Sequence, residues 1–261
     1  MVKIARSGDS RVYLAFQREL RALRALDHPG ISTLEEAGQT GDRPWIALTD
    51  SGPMSLGQWA RTPRPWTCVR GVAIQLLHAL AYVHDRGFLH LDVKPANVVL
   101  QGSVRPTAVL VDFGLARLRG ENGGRRAAGT PSYMAPEQVA ARWRHIGPGT
   151  DLYALGGLLW RVLTGTHALT PEPGMSWSVA QATLTPGQFS PRTSVPADLE
   201  AWLRRLSAKR PARRFFSARA ALAELQALDA PSPPVRLAQP RPGTARTYPR
   251  RTPSSLRATA R

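Results

Sequence analysis

Between residues 90 and 114 the chain gathers the residue types that can hold a phosphate-bound cation and handle a proton. His90-Leu91-Asp92-Val93-Lys94-Pro95-Ala96-Asn97 comes first, and an apolar run then leads into Asp112-Phe113-Gly114. A transferring phosphoryl group needs its charge neutralised and its attacking and leaving oxygens held in line, rather than covalent help. Acid and amide oxygens that converge on Mg²⁺, with a cation beside them, meet that need. Asp92, Lys94, Asn97 and Asp112 are of those types, so the spacing points to phosphoryl transfer from a nucleotide.

Elements that could position these loops are legible on both sides. Residues 67–86 carry Val69, Val72, Ala73, Leu76, Leu77, Leu80 and Val83 at helical spacing, with Thr67 as the expected N-cap and Gly87 as the stop. Residues 97–100 and 108–111 are β-branched runs around Gln101-Gly102, which predicts a hairpin that projects both loops toward a cleft. Residues 153–163 are almost wholly apolar and predict a buried helix, and residues 217–228 a closing helix. Upstream, Phe16, Leu20, Leu23 and Leu26 mark an amphipathic helix. Gly38 to Gly41 read as a turn between two strands, the second being Trp45 to Leu48. Trp143, Trp160 and Trp202 are expected to pack in the core or on its surface.

Together with Ala135-Pro136-Glu137, these motifs resemble the catalytic loop, magnesium loop and activation-segment end of protein kinases, in the same order. Lys94, two residues after Asp92, and Gly129-Thr130-Pro131-Ser132-Tyr133-Met134 narrow the resemblance to bacterial eukaryotic-type (Hanks-type) serine/threonine protein kinases. The resemblance covers residues 1 to about 228 and implies an α+β, two-lobed fold: a small β-rich lobe with hinge over 1–51 and a mainly helical lobe over 52–230. It implies ATP and Mg²⁺ as cofactors and proteins bearing Ser or Thr as substrates. By the same likeness, Asp92 would accept or orient the substrate hydroxyl proton, Lys94 would contact the transferring phosphate, and Thr130 would brace both. Asn97 and Asp112 would ligate Mg²⁺. Lys3 would hold the nucleotide phosphates and pair with Glu19, sixteen positions on. Leu48 would be the gatekeeper, and the backbone of Thr49 to Ser51 would hold adenine. His90 would support the magnesium loop, Asp151 would tether the catalytic loop from below, and Glu137 would pair with Arg214.

Two departures qualify this pattern. No Gly-x-Gly-x-x-Gly occurs in the chain, and Met1-Val2-Lys3-Ile4 already resembles the third strand of the small lobe. The resemblance therefore implies an N-terminally truncated small lobe, either because the start is assigned too late or because the protein works, or only binds, without a phosphate lid. Second, Leu91 stands where the family usually has the Arg that pairs with a phosphorylated activation loop. Residues 115–128 hold Arg117, Arg119, Arg125 and Arg126 but no Ser, Thr or Tyr, so no hydroxyl there can be phosphorylated.

Composition bounds the rest. The 261 residues are enough for one two-lobed core. No run approaches the roughly 18 apolar residues of a membrane helix, residues 152–163 being short and broken by Arg161. Together with the lack of a secretory signal, this sets the expectation of a cytoplasmic protein with no membrane segment. Cys68 is the single cysteine. His84, His90 and Asp92 lack a further ligand at metal-site spacing. Residues 231–261 read as a disordered Pro/Arg-rich tail, free of acids, that carries seven of the formal +17 charges and the candidate phosphate acceptors Thr244, Thr247, Thr252 and Ser254. Such charge could attract nucleic acid, yet no stripe of stacking aromatics accompanies it. The readings in play are an active serine/threonine kinase, a catalytically impaired nucleotide-binding or scaffold protein on the same fold, and a basic nucleic-acid binder.

Overall fold

The computed structural model describes residues 1–5, 10–41, 43–102, 106–121 and 128–228. The tail beyond 228, and Arg125 and Arg126, lie outside these residues. A small N-terminal lobe is built from β1 (Val2–Ile4), α1 (Ser10–Ala25), β2 (Leu34–Thr40) and β3 (Arg43–Leu48). The strands form an antiparallel sheet in the order β1-β3-β2, with Lys3 opposite Ile46. Helix α1 lays Ala22 and Leu23 into the core, joined by Leu26 just past its end, while Tyr13 and Leu14 near its start stay exposed. Gly38 is not in a turn but inside β2. The Trp45 ring lies over it so closely that a Cβ would sit 2.5 Å from the ring edge, so only glycine lets the indole cover the strand.

The larger lobe begins with β4 (Met54–Ser55) and α2 (Leu56–Trp59). Helix α3 (Trp66–Asp85) then runs through the core, with the expected apolar stripe buried. Pro65 rather than Thr67 precedes its first turn, because a proline amide has no hydrogen to leave unsatisfied there. Gly87 ends it at φ +80°, a conformation cheap only for glycine. By length and composition α3 is the helix among the described residues that could cross a membrane, and residues 152–163 are not the nearest candidate; its apolar side chains are taken up by this core.

Strand β5 (Phe88–Leu89) pairs with β8 (Arg117–Leu118), and β6 (Val98–Gln101) with β7 (Thr107–Leu110). Asn97 is not in a strand but closes the 3₁₀ turn Pro95–Asn97, which frees its side chain to fold back toward Asp92. Helix α4 (Pro136–Val139) leads through the turn Trp143–His145 into α5 (Pro148–Thr164), followed by α6 (Trp177–Thr183), α7 (Leu199–Leu206) and α8 (Ala218–Ala227). Leu152, Leu155, Leu158 and Trp160 of α5 are essentially inaccessible, so this helix is the pillar of the lobe. Gly30 and Ser32, just after α1, exchange backbone hydrogen bonds with Leu110 of β7, which ties the two lobes together beside the magnesium-loop strand.

Candidate functional site

The catalytic-loop residues are held by their neighbours rather than by solvent. Asp92 Oδ1 accepts from the Thr130 amide at 3.0 Å and from its hydroxyl at 2.9 Å. Its Oδ2 accepts from Lys94 Nζ at 2.6 Å and from Asn97 Nδ2 at 3.0 Å. Lys94 also donates to the Thr130 hydroxyl at 2.8 Å, so three residues from two segments fix one carboxylate. Gly129, at φ +136°, makes the turn that presents Thr130, and a side chain there would meet Gln138 and Met134.

Below this cluster Asp151 is fully buried and acts as a hub. It accepts from the amides of His90 at 3.0 Å and Leu91 at 2.8 Å, and from His84 Nε2 at 2.9 Å. Burial alone would raise its pKa, but the hydrogen bond and charge of His84, with His90, hold it below the ordinary carboxylate value. His90 Nε2 lies 3.2 Å from the Val111 carbonyl and so joins the catalytic loop to the segment before Asp112. Leu91 and Asp112 both have positive φ, +64° and +67°. Non-glycine residues in this region cost roughly 1–3 kcal/mol each and persist only where the surroundings over-determine them. At Leu91 those surroundings are visible: Asp151 grips its amide, and Gln138 donates to its carbonyl at 2.7 Å.

Across the cleft Lys3 Nζ meets Glu19 Oε1 at 2.7 Å and Asp112 Oδ1 at 3.3 Å. Partial burial works to lower the Lys3 pKa, yet the two carboxylates outweigh it and the net shift is upward. For Asp112 burial acts to raise the value, and Lys3, with smaller help from His90 and the Gly114 amide, brings it below normal. Leu48, inaccessible at the end of β3, exchanges backbone hydrogen bonds with Met1. The Thr49 amide donates to the Thr33 carbonyl at 3.0 Å, and the buried Ser51 hydroxyl reaches the Thr49 carbonyl at 3.4 Å.

The donor set suits Mg²⁺. Both Asn97 amide hydrogens are directed at Asp92, which leaves its carbonyl oxygen as the available end, and the Asp112 carboxylate is 45% exposed. Oxygen atoms of one carboxylate and one amide are hard donors, and Mg²⁺ ordinarily completes its shell with water and phosphate. Among the described residues no group of three His, Cys, Asp or Glu could hold a metal by itself.

The structure also brings together residues that the sequence did not single out. Gln138, 2% exposed, clamps the Leu91 and Ala128 carbonyls at 2.7 Å each. Lys209 donates to the Tyr153 hydroxyl at 2.9 Å and to the Gln181 carbonyl at 2.8 Å, and Gln181 in turn donates to Pro131. Only the position of Gln138 beside Glu137 could have drawn attention to it. Glu137 receives two bonds from Arg214, at 2.6 and 2.8 Å, and one from Thr150 at 2.8 Å.

Known proteins resemble this chain in sequence. A profile of the protein kinase domain matches residues 2–224. The chain is 32% identical over 248 residues to the serine/threonine-protein kinase PknB of Mycobacterium tuberculosis, covering 89% of this chain and 39% of that protein. It is 33% identical over 235 residues to the serine/threonine-protein kinase Pkn1 of Myxococcus xanthus, covering 87% of this chain and 34% of that one. It thus spans less than half the length of these relatives. A small sheet-rich lobe over a helical one, with a match running nearly end to end, establishes that the chain belongs to the protein kinase domain family, on its bacterial serine/threonine branch.

Proposed function

We propose that residues 1–230 form a catalytic unit that transfers the γ-phosphoryl group of ATP to Ser or Thr hydroxyls of proteins. The observation that carries this reading is the pair of joined networks, Lys3 with Glu19 and Asp112 on one side, Asp92 with Thr130, Lys94 and Asn97 on the other. Asp92, oriented by four donors, receives the hydroxyl proton of the acceptor. Lys94 steadies the phosphate in flight, and Lys3 the phosphates of the nucleotide. Asn97 and Asp112 would hold Mg²⁺, which supplies charge neutralisation on the phosphate oxygens. Adenine would lie against Leu48 and bond to the backbone of Thr49 to Ser51. With ATP as donor, the reaction would run in the cytoplasm.

The activity would not depend on a phosphorylated activation segment. Leu91 offers no cation to such a phosphate, residues 115–128 offer no hydroxyl, and the catalytic cluster is already tied down by Thr130, Asp151 and Gln138. The test is transfer from labelled Mg·ATP to the chain itself and to a generic basic protein, with Asp112→Ala alongside. Incorporation that disappears in the variant supports the reading, and incorporation that persists overturns it. Phosphatase treatment beforehand should leave the rate unchanged; a loss would refute independence from phosphorylation.

A further inference from the structure

An open cleft of about 580 Å³ lies between the end of β8 and the turn before α5, lined by Arg119, Trp143, Arg144, His145 and Gly147 among others. Arg119, Arg144 and His145 are exposed, and among the described residues their side chains have no hydrogen-bond or ion-pair partner. Some other surface arginines are matched, Arg21 with Glu121, Arg204 with Glu200, Arg205 with Glu224 and Arg219 with Asp85, whereas Arg119 and Arg144 converge unmatched on one cleft.

The surroundings supply more positive charge and little negative. Arg117 is buried behind the cleft with its guanidinium 5.1 Å from the centre of the Trp143 ring. Burial lowers its pKa and the nearby Arg18 and Arg21 push the same way, against Glu121. That glutamate is the sole acid between Asp112 and Glu137, and it accepts from Arg21 at 2.8 Å; none occurs between Glu137 and Asp151. Guanidinium forks facing an open space fit a tetrahedral dianion better than a point charge would. Residues 115–128 contain no hydroxyl, so the chain cannot place a phosphoryl group here from that segment.

Resting on the kinase reading above, we propose that this cleft receives a phosphoryl group already carried by the protein substrate, so that the enzyme favours substrates bearing a phosphoserine or phosphothreonine near the acceptor. Both walls are fastened to the catalytic loop. Arg117 pairs across the strands with Leu89, the Arg119 amide donates to the Gly87 carbonyl at 2.7 Å, and Gln138 of α4 holds the Leu91 carbonyl. Leu89 is three residues from Asp92 and Arg117 two from Arg119. At ~3.3 Å per extended residue and about 5 Å across the strand pair, Arg119 lies within about 22 Å of Asp92, so a peptide of at most about seven residues bridges cleft and carboxylate. Nucleic acid fits less well, since the cleft's aromatic ring, Trp143, is already stacked by Arg117 and is no open platform for bases.

The test uses the whole chain without ATP and measures fluorescence anisotropy of labelled peptides that differ only in carrying serine, phosphoserine or glutamate up to about seven residues from an acceptor serine. The phosphoserine peptide should bind about tenfold or more tighter than the serine peptide. Arg119→Ala/Arg144→Ala, or Arg144→Gln alone if the double variant melts early, should erase that advantage without altering binding of the serine peptide. In transfer assays the advantage should appear as a lower KM. Equal binding of serine and phosphoserine peptides, full preference retained in the variants, equal binding of the glutamate peptide, or displacement by a short DNA duplex or by inorganic phosphate at peptide concentrations would each overturn it. Because anisotropy needs no chemistry, failure of the cleft is separable from failure of phosphoryl transfer to the unmodified peptide.

Discussion

Arg214 and Glu137 have side chains 0% and 3% exposed, whereas Lys3 is 28% exposed and its partner Asp112 45%. The first pair is bidentate, joined by Thr150, and Arg214 also donates to the Ala208, Gly149 and Lys209 carbonyls. The second is a longer contact at 3.3 Å, open to the cleft. Both unite opposite charges from distant parts of the chain, yet they do different work. A dry pair with all five guanidinium hydrogens engaged fixes the lobe, since removing one partner strands a buried charge. A half-wet pair can exchange its partners when a nucleotide arrives, at little cost to the fold.

The largest effect that could break this contrast is on chemistry. Asp112→Asn should lower phosphoryl transfer about 10²- to 10³-fold, the scale of losing one group that stabilises transition-state charge, with melting essentially unchanged. A comparable fall in melting temperature would place Asp112 with the structural pairs. Arg214→Ala should do the reverse, destabilising the protein by about 3–5 kcal/mol, or roughly 10 °C in a domain of this size. Denaturant unfolding that matches the parent would dissolve the distinction. Gln138→Ala sharpens it, because this buried amide bonds to the catalytic loop as well as the activation segment. Two stranded carbonyls should cost about 1–3 kcal/mol and slow transfer together, and an effect on one alone would assign Gln138 to a single region.

The smallest expected effect is one of pH. His167 packs against Tyr133 and Trp177, and burial, then Arg161, lowers its pKa from 6.5 to about 4. Between those values the unfolded chain binds a proton that the folded chain refuses. Stability attributable to His167 is therefore complete above 6.5 and declines as pH falls toward 4. Lys3 and Asp112 titrate outside this window, one shifted up from 10.5 and the other down from 3.8. His167→Phe should flatten the decline of melting temperature over the window; superimposable profiles would exclude this histidine as its source.

Local chemistry explains what was legible beforehand. Motif order and the apolar stripe of α3 announced a kinase-like two-lobed fold, because residue type and periodicity are properties of the sequence itself. Boundaries were less legible. Gly38 reads as a turn until Trp45 is seen lying over it, and Asn97 as a strand residue until Pro95 is seen to start a 3₁₀ turn. Gln138 and the Lys209–Tyr153–Gln181 chain carry no local signature, since their roles exist only where segments far apart in sequence touch.

The sequence by itself determined which groups are present: an acid, a lysine, an asparagine and a second acid at fixed spacing, a loop with arginines but no hydroxyl, and the family they belong to. The tertiary structure alone decided that Leu91 and Asp112 adopt left-handed conformations, that one carboxylate takes four donors, and that Arg119 and Arg144 face an open cleft. The physical reason is that backbone strain, desolvation and charge pairing depend on distances across the fold, which no local pattern encodes.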